Sequence, residues 1–289
     1  MQSILESITK WLKELLITGI TGNFSGLFDN VNQKVGEIAN DVGKTPSQWN
    51  SSIFSMIQSL SENVIIPIAG IILTFIMCYE LIQMITEKNN LHDIDTFIFF
   101  KWIFKTFVSV IIITNTFNII MGVFDMAQHV VSQSSEIITS QTSVDISTVI
   151  SDLETKLEEM ELGILIGLWL QSFFINFTMH ILSICIFIVI YGRIIEIYLM
   201  TSLGPIPFST MANREWGTMG QNYIRALFAI GFQGFLIMVC VGIYSVLVHS
   251  ISISDDIISS VWTCMGYTVL LCFSLFKTGT LSKSIFNAH

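Results

Sequence analysis

RIIEIYLMTSLGPIPFSTMANREWGTMGQNYIRALFAIGFQG, residues Arg193 to Gly234, is the stretch whose reading decides the fold. It opens at the end of a long apolar run and carries Arg193 and Glu196, one helical turn apart. It breaks at Gly204-Pro205-Ile206-Pro207, because proline lacks an amide donor and its ring collides with the preceding turn. An amphipathic segment with Arg214, Glu215, Trp216 and Arg225 follows, and the chain re-enters apolar sequence at Ala226. Charge, aromatic rings and backbone breakers thus crowd the edge of a membrane segment, which makes that edge the candidate site. Gly204, Pro205 and Pro207 form its break, and Arg193, Glu196, Arg214, Glu215, Trp216 and Arg225 form its polar face.

Outside this stretch the chain is either apolar or plainly polar. Hydrophobic residues make up 52% of the 289 and charged residues 12%, against about 25% charged in soluble domains. Mean hydropathy is +0.69. The apolar residues gather in runs near the roughly 20 residues that cross hydrocarbon as a helix. They do not form the alternating segments of about ten residues expected of a membrane barrel. The fold class is therefore all-α, a polytopic helical membrane protein. The net charge of −9 argues against a free nucleic-acid-binding surface, which is usually basic. Cys78, Cys185, Cys240, Cys264 and Cys272 all fall in apolar runs without a CxxC pair, so they read as small hydrophobes and not as metal or redox ligands. The N-terminus lacks the basic start and unbroken apolar core of a cleavable signal.

The first 63 residues form an amphipathic N-terminal region and residues 64–289 the membrane domain. Ile4, Leu5, Ile8, Trp11, Leu12, Leu15 and Leu16 make a helical stripe within residues 1–22, too short to span and suited to an interface or a partner. Residues 24–42 repeat it weakly. Thr45-Pro46-Ser47-Gln48 has the composition of a capping box with proline in the first turn. It predicts a helix running through Trp49, Phe54 and Leu60 into the first span.

Five spans are expected, near 64–85, 102–124, 162–191, 226–248 and 260–276. The third, at 30 residues, exceeds the bilayer core and must tilt, protrude or break, a break falling at Gln171, Asn176 or His180. Residues 125–161 form an acidic extracytoplasmic loop, with eight carboxylates against Lys156. Its second half, including Ile146, Val149, Ile150, Leu153, Leu157 and Met160, has helical spacing. Asp255 and Asp256 lie in a second acidic loop without lysine or arginine. Lysine and arginine mark cytoplasmic loops. With the acidic loops outside, Lys88, Lys101, Lys105, Arg193, Arg214, Arg225, Lys277 and Lys283 lie inside. Lys10, Lys13, Lys34, Lys44 and Lys156 then lie outside. This predicts a multi-pass protein of the cytoplasmic membrane with its N-terminus outside and its C-terminus cytoplasmic. Two helices in the third run would make six spans.

Glu80 and Gln83, near the inner end of the first span, are the candidate intramembrane polar residues. They line a polar path or a subunit contact, or else Glu80 snorkels to the headgroups. Arg193 and Glu196 most simply form a local pair. Asn115, Asn118, Gln171, Asn176 and His180 read as hydrogen-bonding glue between helices. The GPIP break sits at the edge of an apolar run, so a helix end followed by a surface-lying amphipathic turn is expected there, and not a transporter's mid-membrane break. No GxSxG, HExxH, Walker loop or paired intramembrane carboxylates occur, and neither enzyme activity nor a cofactor is expected.

The run R-x-x-E-x-Y-L-M-T-S-L-G-P-I-P-F, with N-R-E-W-G-x-M-G-Q-N-Y-I-R-A-L-F-A-I-G-F-Q-G-F after it, resembles the membrane-embedded core of the TrbL family. These are polytopic inner-membrane subunits of type IV secretion and conjugation machines, equivalent to the sixth VirB subunit. The likeness is greatest to members from conjugative elements of Gram-positive bacteria and covers Tyr191 to Val248. The resemblance implies a non-enzymatic channel or scaffold subunit that forms homo-oligomers in membrane lipid. Its partners would be other secretion subunits, including the ATPases that supply energy, and transiently single-stranded DNA or a protein substrate. It would place the candidate residues at the cytoplasmic mouth or at a contact with neighbouring subunits. The long soluble tail of some larger relatives is not expected here, and the chain offers a DNA path few cations. A solute transporter or ion channel would instead need a charged mid-membrane site, and a holin-like pore would need fewer spans.

Overall fold

A computed structural model of the chain describes residues 2–87, 96–139, 147–249 and 257–288. Lys88, Asp145, Ile146, Asp255 and Asp256 lie outside the described residues. All regular structure among the described residues is helical, and the protein is an all-α polytopic membrane protein. Its helices are α1 (Gln2–Val42), α2 (Pro46–Trp49), α3 (Ser51–Leu60), α4 (Ile66–Glu87), α5 (Thr96–Thr114) and α6 (Thr116–Thr139). They continue with α7 (Ser147–Glu158), α8 (Leu162–Leu203), α9 (Pro205–Thr210), α10 (Gly217–His249) and α11 (Ile257–Ile285), and a π-helical turn, Ser61–Ile65, joins α3 to α4. Four stretches are long and apolar enough to cross a membrane: Ser51–Thr86, Leu162–Leu203, Gly217–Val248 and Trp262–Ile285. A bent pair, Phe99–Thr114 with Thr116–Ser134, makes a fifth if it is one span.

Several boundaries differ from the sequence expectation, each for a local reason. The second span is not one straight helix: α5 and α6 meet at Asn115 with a bend of 65°. Thr114 and Thr116 donate their hydroxyls to the carbonyls of Val110 and Ile112, and the Asn115 amide donates to Ile111. Such i−4 back-bonding bends helices, and here three consecutive residues do it. The third run, by contrast, does not break at Gln171, Asn176 or His180. It is one helix of 42 residues, roughly 63 Å long. The N-terminal stripe and its weaker repeat are likewise a single 41-residue helix. The fourth span starts nine residues before Ala226, at Gly217.

The Thr45 capping box is present with both of its hydrogen bonds. The helix it opens does not run on, however. Asn50 turns to extended backbone (φ −157°, ψ 106°) and caps α3 by accepting from the Ile53 amide at 2.9 Å.

The chain forms two compact units, each assembled from separated segments. The first comprises residues 1–42, 133–190 and 237–277. In it α1 packs on α7, and Leu16, Ile20 and Phe24 of α1 are buried, while Ile4, Ile8, Trp11 and Leu15 are exposed. Asn23 donates to Ser172 and accepts from Asn176, at 3.0 and 3.3 Å, so Asn176 does bond between helices. Tyr244 and Thr268 share a buried hydrogen bond joining α10 to α11.

The second unit comprises residues 43–132, 191–236 and 278–289 and contains the candidate site. Its centre is the break after α8. Proline at 205 cannot donate to the Thr201 carbonyl, which the Gly204 amide meets instead at 3.4 Å. A Cβ at Gly204 would overlap Ile120 and crowd Thr116 and the Tyr223 hydroxyl, so glycine is required by close approach. The segment after the break is not a surface-lying turn. It is the short helix α9, packed on α4 and α5 with Pro205, Phe208, Ser209 and Thr210 buried. Ser209 and Thr210 donate to the carbonyls of Ile206 and Pro207, which satisfies polar groups that would otherwise be stranded in apolar surroundings. Ile120, Phe124, Ile197, Phe208, Leu227 and Ile230 form the core around it.

Gly204→Ala should therefore destabilise the protein by overpacking, by about 1–3 kcal/mol. The change should appear as a lowered melting temperature of the detergent-solubilised protein with no loss of helix content. An unchanged melting temperature would show that Ile120 and Tyr223 give way freely.

Candidate functional site

The two sets of candidate residues, Glu80 with Gln83 and the edge after Arg193, meet in space. Glu80 stands on α4 one turn before Gln83. Its Oε1 accepts from Lys105 Nζ of α5 at 2.5 Å, and its Oε2 accepts from the Asn213 side-chain amide. Glu80 is therefore held by two partners and does not reach out to headgroups. The Glu80 and Lys105 side chains are 13% and 33% exposed, dry enough for the pair to be stronger than a surface pair. One turn away from Lys105, Trp102 donates its indole N–H to the Met77 carbonyl at 2.9 Å. Two polar ties thus close the α4–α5 hairpin beside the apolar cluster of Ala69, Leu73, Ile76, Met77, Ile113 and Ala212.

Asn213 is the pivot of the arrangement. Its side-chain oxygen accepts from the backbone amides of Glu215 and Trp216, at 2.8 and 3.3 Å, and its own carbonyl accepts from Gly217. It therefore caps the start of α10 as asparagine does at helix N-termini. The other end of its amide reaches Glu80. Gln83 completes the cluster by donating to Glu215 Oε1 at 3.0 Å, and Tyr79 donates to Oε2 at 3.3 Å. α4, α5 and the turn from α9 into α10 are joined by hydrogen bonds of these side chains.

Arg193 and Glu196 do not pair with each other. Glu196 accepts from Lys283 at 2.9 Å, a half-exposed pair of small energetic weight. Arg193 is buried against α10. It donates from Nε to the Ile230 carbonyl and from Nη2 to the Gly231 carbonyl, both at 3.1 Å. A Cβ at Gly234 would come within 2.8 Å of Nη2, so only glycine leaves room for the guanidinium. No carboxylate among the described residues pairs with Arg193. Tyr223 ties α10 to the last turn of α8 by donating to the Met200 carbonyl at 2.6 Å. Pro207 is half-buried, and Arg214, Glu215, Trp216 and Arg225 are exposed. Among the described residues no group of His, Cys, Asp or Glu has the geometry to hold a metal ion.

Lys105, Trp102 and Asn213 are the site residues that sequence reasoning missed. The available signal for Asn213 was its place four residues before Gly217, at a helix start, next to a charged pair. Lys105 and Trp102 entered the sequence reading only as span-edge residues, and nothing in one dimension paired them with residues 25 positions earlier.

Residues 31–205 match the family model described as TrbL/VirB6 plasmid conjugal transfer like protein. The chain belongs to the TrbL/VirB6 family. The matched region takes in α4, α5, α6 and α8 and ends at Pro205, so it overlaps the resembling stretch only at residues 191–205. Glu80, Gln83, Lys105 and Arg193 lie inside the match, and Asn213 to Arg225 lie beyond it. No curated protein and no solved structure matches the chain.

Because Glu80 and Lys105 are in direct contact, their substitutions should not add. Lys105→Met should cost more than Lys105→Met combined with Glu80→Gln, with a coupling of about 0.5–3 kcal/mol. The comparison is made on melting temperatures of the four proteins in one detergent. Strict additivity would mean that Asn213 and solvent hold the carboxylate without the lysine.

Proposed function

We propose that the protein is a non-enzymatic channel or scaffold subunit of a type IV secretion (conjugation) machine. It helps to move DNA or protein across the cytoplasmic membrane. The observation that carries this reading is the match to a conjugal transfer family over residues 31–205. The geometry agrees with it. The cluster of Glu80, Lys105, Gln83, Asn213 and Glu215 stiffens one edge of the second unit and leaves Arg214, Trp216 and Arg225 exposed beside it. Exposed arginine and tryptophan are the residue types enriched at protein contacts. In this reading those residues, with Glu215, meet neighbouring copies or the transfer ATPases, and the protein works as a homo-oligomer. The few exposed cations favour a scaffold around the path over a DNA-lined wall.

One observation favours a second reading, a solute transporter or ion channel. Arg193 is a buried cation within an apolar helix and has no carboxylate partner among the described residues, and intramembrane charges mark transport pathways.

Removing the gene should abolish DNA transfer between cells without affecting growth, and a plasmid-borne copy should restore it. Transfer at the parental frequency would overturn the leading reading. The orientation belongs to the same proposal, with the N-terminus outside, the C-terminus cytoplasmic and the bent α5–α6 pair crossing as one span. Reporters fused at the two ends should then be active on opposite sides of the membrane. Activity on the same side would leave the bent pair as a re-entrant hairpin.

A further inference from the structure

One face of α5 changes character along its length. Lys101, Phe104, Lys105, Val108, Ser109 and Ile112 recur at helical spacing, cations first and apolar residues after. Opposite its apolar part stand Phe208 of α9 and Met211 and Ala212 of the following turn, enclosing a cavity of about 380 Å³ with those six α5 residues. A second cavity of about 320 Å³ is lined by Glu80, Gln83, Met84, Trp102 and Arg214, again with Lys101 and Lys105. The two lysines border both cavities, so a polar end and an apolar end adjoin. Each volume lies in the range of small-molecule sites, about 300–1,000 Å³. Phe104, at the apolar end, is 69% exposed, which leaves that end open towards lipid.

The charge of the polar end is not balanced. Among the described residues three cations, Lys101, Lys105 and Arg214, stand against two carboxylates: Glu80, engaged by Lys105 and Asn213, and Glu215, engaged by Gln83 and Tyr79. Neither Lys101 nor Arg214 has a carboxylate partner among the described residues. Lys101 and Arg214, without a carboxylate partner among the described residues and set above an apolar slot, complement an amphiphile with an anionic head and a hydrocarbon tail. We infer that this groove binds an anionic glycerophospholipid. Its phosphate lies on Lys101 and Arg214, and one acyl chain lies between α5 and α9. Basic pockets between membrane helices recognise such headgroups, and the tail adds burial that a free phosphate cannot supply. The bound lipid would brace the α9–α10 turn beside Glu80.

The test uses the full chain, purified in a neutral detergent and titrated with dioleoyl phosphatidylglycerol or dioleoyl phosphatidylcholine. Native mass spectrometry counts the retained lipids. Phosphatidylglycerol should be retained in preference, at one tightly held molecule per protomer. Lys101→Gln with Arg214→Gln should erase the preference, each change weakening retention about fivefold. Both residues are exposed, so the fold should survive, and an unchanged melting temperature confirms it. Lys277→Gln, at an exposed lysine elsewhere, should change nothing. Equal retention of the two lipids would overturn the inference, as would a preference that survives the double substitution. Displacement of the lipid by an equal concentration of inorganic phosphate would also overturn it, since the site would then be one for a free anion.

Discussion

The second unit depends on one shared carboxylate. Glu80 gives one oxygen to Lys105 and the other to Asn213, and through them α4 is joined to α5 and to the start of α10. Apolar packing alone specifies the distances between these helices but says little about their register, because neighbouring turns of leucine, isoleucine and phenylalanine are nearly equivalent. A partly dry carboxylate is different. It is costly unless both oxygens are met, so only one register of three segments satisfies it. Gln83 and Glu215 repeat the constraint one turn further along.

The same accounting explains the rest of the unit. Where α8 ends, two prolines withhold amides, and the hydroxyls of Ser209, Thr210 and Tyr223 meet carbonyls of α9 and of the last turn of α8. Arg193 meets two carbonyls in the middle of α10 and has Gly234 for clearance. At the end of α11, Asn287 takes the left-handed conformation (φ 51°) that asparagine tolerates beyond a helix, and the Ala288 amide returns to Lys283. Polar ties at the span ends hold these segments together without adding bulk to the spans.

Much of the fold was legible in the residues. Runs of apolar sequence at span length, the Thr45 capping box, the helix at Ser147–Glu158 and the end of α8 at Gly204-Pro205 all rest on short-range chemistry, which periodicity and proline report directly. The misreadings share a cause as well. Asn115 reads in sequence as glue to other helices, yet its side chain and those of Thr114 and Thr116 bond to their own helix and bend it. Gln171 and His180 were read as possible break points, and a helix that keeps its backbone bonds simply carries them on its exposed face.

By itself the sequence determined the class, the membrane segments and the edge where chemistry collects, because those depend on composition and on neighbours within a turn or two. Glu80 and Gln83 were picked out, and so was the stretch from Arg193 to Arg225. That these two sets meet was decided only in three dimensions, since Glu80 and Asn213 are 133 residues apart. The partner of Arg193 was decided there too. A helical spacing of three offered it Glu196, but Arg193 is drawn into the packing against α10 by the Ile230 and Gly231 carbonyls, while Glu196 reaches Lys283 of α11. Which polar groups pair is settled by which surfaces packing leaves dry, and no local pattern carries that information.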